Sequence, residues 1–193
     1  MLSGSFNVLL RGLAALTLVG VLSACATNTS PEAAAQRTAA ARLDDVVRGP
    51  VTVHFSDPSQ YSSAYDFGRD GGNGQKAWLP TLAQHLADKV GAKLPPGQQV
   101  EVSITNVERA GRTEPWRAGP VGDVRIVRDI YPPRLDLQYT QRAADGQVLR
   151  SGPRQLRDNT FMANIDRYPG DPLRYEKQLV DDWVDKEFTT KGG

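Results

Sequence analysis

The run Arg134-Leu-Asp-Leu-Gln-Tyr-Thr-Gln-Arg142, followed by Ala-Ala-Asp145-Gly146 and then by Gln147–Leu156, decides the fold. Leu135, Leu137 and Tyr139 alternate with Arg134, Asp136 and Gln138. That is the period of a strand with one face buried and one wet. Asp145-Gly146 is a hairpin turn signal, because glycine supplies the positive φ such turns need. Gln147–Leu156 is therefore expected to return antiparallel. Working toward the N-terminus, Asp123–Tyr131 reads as a further strand, set off by Pro132-Pro133. In Val100–Val107, Val100, Val102 and Ile104 alternate with Glu101, Ser103 and Thr105. Val51, Val53 and Phe55 alternate with Thr52, His54 and Ser56 until Asp57-Pro58 ends the run.

Two helices frame these strands. Leu79, Leu82, Leu86 and Val90 recur at helical spacing, with Pro80 tolerated in the first turn and Gly91 as the stop. Asp171-Pro172 is expected to open the second helix, with Asp as N-cap and Pro at the first helical position. There Tyr175, Leu179 and Trp183 form one row and Val180, Val184 and Phe188 the next, a wide stripe that must bury. The predicted fold is α+β: a two-layer sandwich, a mostly antiparallel sheet with two helices on one face. The other face is expected to carry Thr52, His54, Glu101, Ser103, Thr105, Arg134, Asp136 and Gln138.

The N-terminus reads as an address. Arg11 precedes an apolar run from Leu13 to Leu22, which suits a signal peptide and is too short to span a bilayer. Leu22-Ser23-Ala24-Cys25 resembles the lipobox of bacterial lipoproteins. That resemblance implies cleavage before Cys25, acylation of Cys25, and anchoring in the membrane through its chains, which two or more acyl groups make stable. Ala26, where inner-membrane lipoproteins carry Asp, implies the outer membrane facing the periplasm. Met1–Leu10 hold no Lys or Arg, an absence that a downstream non-Met start codon would explain. The expected organisation is a signal peptide over 1–24, a lipidated tether over 25–48 and one domain over 49–190. Glu32–Val47 is Ala-rich and has helical propensity. As a flexible chain of about 23 residues the tether would reach roughly 26 Å.

Charge narrows the partners. The whole chain of 193 residues has 23 Lys+Arg and 22 Asp+Glu; without residues 1–24, which contain only Arg11, the balance is zero. A neutral, sign-mixed surface argues against a nucleic-acid binder, which needs a basic stripe. One cysteine permits no internal disulfide. A zinc site wants three or four ligands, often at short local spacings, and His54 and His85 offer none while the single cysteine is spent on lipid, so no metal and no cofactor is expected. No G-x-S-x-G elbow is present. Gly68, Gly71, Gly72 and Gly74 before Gln75-Lys76 depart from the phosphate-loop pattern and read as a flexible connection. Asp181, Asp182 and Asp185 read as a solvated helix face, with Asp182–Lys186 a favourable pair.

Longer motifs carry a family resemblance. They are Val51-Thr-Val-His-Phe-Ser-Asp-Pro58, Glu114-Pro-Trp-Arg117, Asp123-Val-Arg-Ile-Val-Arg-Asp-Ile-Tyr-Pro-Pro-Arg-Leu-Asp-Leu137, Leu156-Arg-Asp158 and Asp171-Pro-Leu-Arg-Tyr-Glu-Lys-Gln-Leu-Val-Asp-Asp-Trp183. Over about residues 50–190 the chain resembles an uncharacterised proteobacterial lipoprotein family, domain-of-unknown-function family 3016. The resemblance implies membership and assigns no catalytic residue.

The region Trp116–Arg134 is the least ordinary surface candidate. Trp116, Arg117, Arg125, Asp129, Tyr131 and Arg134 combine guanidinium groups with aromatics, the composition of recognition surfaces. The alternative is an internal network of arginines and acids, with Arg128 paired to an acid such as Asp158. The functional expectation is a non-enzymatic binding or assembly module with an envelope protein partner. The alternative is an envelope hydrolase using Asp129 or Asp136 with an arginine for substrate anions.

Overall fold

The computed structural model describes residues 43–62, 78–114 and 125–189. Strands β1 (Val46–Arg48) and β2 (Val51–Phe55) lead to helix α1 (Trp78–Gly91). Then come β3 (Gln99–Glu108), β4 (Arg112–Thr113), β5 (Arg125–Ile126), β6 (Arg134–Arg142), β7 (Val148–Arg157) and helix α2 (Arg174–Phe188). The main sheet has the order β1-β2-β3-β6-β7, and β4 pairs with β5 in a separate ribbon. Among the described strands only β2 and β3 run parallel. They are joined through α1, because a parallel pair cannot be closed by a tight turn. The fold is the expected α+β class.

Both helices pack on the same side of the sheet. Leu79, Leu82, Leu86 and Val90 of α1, and Leu179, Val180, Trp183, Val184 and Phe188 of α2, share one core with the inward residues of β2, β3 and β6. The opposite face is wet. None of Thr52, His54, Glu101, Ser103, Thr105, Arg134, Asp136 and Gln138 is buried. A register shift between Ile104 and Asn106 keeps this division. Thr105 is the extra residue of a bulge. Beyond it Val107 turns inward opposite Leu135, and Asn106 turns outward opposite Asp136. The hairpin after β6 is as expected: Gly146 takes φ +85° and Ala143 donates its N–H to the Gln147 carbonyl.

Several expectations are corrected. The folded part begins before residue 49, since Val46–Arg48 pair antiparallel with Val51–Val53. Leu43 and Val46 pack against the core, so the chain there gains apolar burial that a tether would forgo. The helical propensity over 32–47 yields no helix at 43–47; residues 32–42 lie outside the described residues. The strand expected over 123–131 is only Arg125–Ile126, paired with Arg112–Thr113. The chain then turns, Tyr131 N–H bonding the Arg128 carbonyl and Asp129 Oδ1 accepting the Ile130 N–H. Gly111 permits the close approach of this ribbon, at φ +85° with an added Cβ only 2.7 Å from the Ile126 carbonyl oxygen. Helix α2 starts at Arg174, not at Pro172. Asp171 Oδ1 accepts the Leu173 N–H at 2.7 Å and so closes the turn before the helix. Finally, Arg128 pairs with Glu114 at 3.4 Å, and Asp158 instead accepts hydrogen bonds from Thr160 and Asn164.

Leu137 sits fully enclosed in the centre of β6. Leu137→Ala should lower unfolding stability by about 2–5 kcal/mol, the cost of lost transfer energy plus a cavity. Urea denaturation of the wild-type and variant proteins checks this.

Candidate functional site

Strand β7 is the last strand of the sheet, and its neighbour on one side only is β6. Its inward residues do not continue the apolar pattern of β6. By register Arg150 lies opposite Gln141, Gly152 opposite Tyr139, Arg154 opposite Leu137 and Leu156 opposite Leu135. A strand with so little apolar surface inside gives α2 little to bury. A groove of about 540 Å³ remains between them. Leu156, Leu179 and Trp183 supply its apolar lining, Asp182 and Lys186 its helical rim, and Thr160 and Asn164 the loop beyond β7.

One end is tied by a polar knot. Arg154 donates Nε to Glu187 Oε2 at 2.9 Å and Nη2 to Oε1 at 2.9 Å. Tyr139 donates its hydroxyl to the same carboxylate, and the Arg154 guanidinium lies over the Tyr139 ring, 4.8 Å from its centre. Arg154 holds the Glu187 carboxyl below the usual carboxylate range. Burial, followed by the Glu187 carboxylate, pushes the Tyr139 phenol up to about 12. Trp183 packs edge-on against Tyr139 and Phe188, with ring centres 5.8 and 5.5 Å apart. Its indole N–H is buried and has no hydrogen-bond partner among the described residues. A buried unpaired donor costs about 1–3 kcal/mol.

Two other polar clusters are braces. Between the helices Asp181, expected on a solvated helix face, is instead buried and meets His85 at 2.8 Å, the Tyr168 hydroxyl at 2.6 Å, Lys89 at 3.5 Å and Arg167 at 3.6 Å. Burial pushes His85 below its ordinary value against the pull of Asp181. With its partners in place, this carboxylate joins α1, α2 and the loop before α2. Near the start of α2, Glu176 is buried and accepts the Ala110 N–H at 2.7 Å, with Arg125 4.0 Å away. Burial raises its pKa, and the Ala110 hydrogen bond opposes the rise.

Residues 49–186 match the model of a family described as a protein of unknown function, DUF3016. The chain belongs to that family. The match takes in β2 through most of α2, and so most of the groove, while β1 lies before it. No curated protein matches the chain.

The surface candidates read from the sequence are scattered within this DUF3016 domain. Arg125 donates to the Ala110 carbonyl at 2.8 Å and to that of Pro172 at 3.4 Å, and so ties β5 to the α2 entrance. The Tyr131 hydroxyl reaches Glu114 at 3.3 Å, the acid that also pairs with Arg128. Asp129 is exposed in a turn. Arg134 pairs with Glu108 across the sheet at 3.3 Å. Trp116 and Arg117 lie outside the described residues, as does Cys25. Asp136 is 3.4 Å from the Asn106 amide on the open sheet face, and neither it nor Asp129 lines the groove. His54 meets Asp45 at 2.8 Å on that same face. Among the described residues no three of His, Cys, Asp and Glu converge as a metal site. No described helix is long and apolar enough to cross a membrane. Sequence reasoning missed the groove. Its signal was the loss of apolar residues at Arg150, Gly152 and Arg154 in an otherwise regular hairpin.

The Arg154–Glu187 pair predicts an acid limb. Glu187 has a folded pKa below its unfolded one, so its contribution is present above the unfolded value and is lost as pH falls through the folded value. Glu187→Gln should lower the urea midpoint at pH 7 and flatten its decline between about pH 5 and pH 3. Urea midpoints measured across that range check both effects.

Proposed function

We propose that this chain is an outer-membrane lipoprotein facing the periplasm, anchored through acylated Cys25, and that it works as a non-enzymatic binding module. The ligand we assign to it is an extended polypeptide segment of an envelope protein, lying in the groove between β7 and α2. The observation that carries this reading is the groove itself, lined on its apolar side by Leu156, Leu179 and Trp183. Its volume is within the range of ligand sites, about 300–1,000 Å³. Its lining holds three bases, Arg154, Arg157 and Lys186, against three acids, Asp158, Asp182 and Glu187, and so is formally neutral. A neutral groove with an apolar floor, a polar rim and an edge strand beside it suits a polypeptide, which brings main-chain polar groups and alternating side chains. The anchor is supported by Leu22-Ser23-Ala24-Cys25 after the apolar run, and the sorting to the outer membrane by Ala26.

Two measurements test these statements. Cys25→Ser should move the chain from the membrane fraction to the soluble fraction of cells that make it naturally; unchanged fractionation contradicts the anchor. A benzophenone side chain in place of Lys186, on the groove rim, should photocrosslink to a discrete polypeptide. The same probe at Thr105, on the open sheet face, should not. Adducts at Thr105 with none at Lys186 would contradict the groove reading.

A further inference from the structure

Strand β7 has β6 on one side, and no described strand pairs with its other edge. A free edge presents main-chain N–H and C=O groups, and natural sheets often blunt it with proline. Pro153 does this in mid-strand. It has no N–H, and its carbonyl accepts Nη1 of Arg154 at 2.9 Å, on the edge away from β6. Main-chain groups alternate between the two edges of a strand, and the pairing with β6 is regular from Ser151 to Arg157. Ser151, Gln155 and Arg157 therefore aim their N–H and C=O the same way as Pro153. Beyond the β6 ladder, no hydrogen bond among the described residues reaches the main chain of Gln155 or Arg157. The edge is thus blunted at Pro153 and open at Gln155–Arg157, where Gln155, Leu156 and Arg157 all line the groove.

Register fixes what an added strand presents. Residues opposite one another across a strand pair share a face. A residue opposite Leu156 therefore points into the groove, toward Leu179 and Trp183, and is apolar. Its neighbour, opposite Arg157, points to the open sheet face. There Glu108, Arg134 and Arg157 form one row across β3, β6 and β7. Glu108 pairs with Arg134 at 3.3 Å. Arg157 is exposed and pairs with no described acid. Opposite charges across a strand pair stabilise it and like charges oppose it, so the next place in the row suits an acid. A second copy of β7 does not meet this demand, since it brings Arg150, Arg154 and Arg157 and a second Pro153.

We infer that the polypeptide in the groove adds to the sheet as a strand along Gln155–Arg157, with an apolar residue opposite Leu156 and an adjacent acidic residue opposite Arg157. The inference rests on the binding reading above and adds the pairing and the sequence of the bound segment. It is tested in the full chain, in cells that make it naturally, with a benzophenone side chain in place of Lys186. Gln155→Pro removes one outward N–H and leaves the β6 ladder, and Arg157→Glu reverses the charge of the row. Each should lower the Lys186 adduct about tenfold or more, the scale of one lost hydrogen bond or charge pair, with an unchanged urea midpoint. Ser151→Pro, on the far side of the Pro153 block, should leave the adduct unchanged. Should Gln155→Pro lower the urea midpoint, amide exchange of the wild-type chain decides: the 155 and 157 amides exchange more slowly in the purified adduct than in the uncrosslinked chain. An undiminished adduct with Gln155→Pro, or unslowed exchange, overturns the strand pairing and leaves the groove reading intact. An undiminished adduct with Arg157→Glu overturns the acidic residue. An adduct to a second copy of this chain overturns the inferred partner. No wild-type adduct from position 186 overturns the groove reading and this inference together.

Discussion

Two helices cover the apolar face of a five-stranded sheet, and the rest of the structure follows from the one strand, β7, that offers them little apolar surface. Helix α1 packs on β1 and β2, and α2 on β6 and β7. The shortfall lies at β7, whose inward positions are Arg150, Gly152, Arg154 and Leu156. Arg154 reaches back to Glu187 and fills part of the gap with a charge pair. The remainder is the groove, with Trp183 in its lining and an indole N–H that no described residue satisfies.

The buried carboxylates make sense as joints of the same frame. Asp181 holds α1 to α2 and to the loop before α2. Glu176 holds the start of α2 to the segment after β3 through the Ala110 N–H. Glu187 holds the end of α2 to β6 and β7 through Tyr139 and Arg154. Each carboxylate lies on α2 and each reaches a different element, so the helix is fixed along its length. Through Tyr168 and Asp181 that also ties down the loop leading into it.

The architecture was legible wherever burial is one-sided. Alternation in β2, β3 and β6 identified both the core and the wet face, because a residue's parity alone decides its face. The two helical stripes identified the core side of α1 and α2 for the same reason. Legibility failed where non-local contacts decide. Leu43 and Val46 gain burial only once α1 is in place, so nothing local marks β1 as a strand. The motif rich in arginine and aromatics drew attention to Arg125 and Tyr131, yet these reach Glu176 and Glu114, partners 51 and 17 positions away in sequence. Composition indicates that arginines will bind acids and does not tell whether those acids are internal. The groove was harder still, since it is defined by side chains missing from the inner face of β7.

The central claim is that the groove accepts a polypeptide. The most direct measurement is the indole N–H resonance of Trp183 in the folded domain, labelled with ¹⁵N-tryptophan. It would be followed while a peptide selected against the domain from a random displayed library is added. The account predicts a saturable shift of the Trp183 indole resonance as a peptide seats beside its ring, with the Trp78 indole unmoved. Selected peptides that bind while the Trp183 resonance stays in place would contradict it.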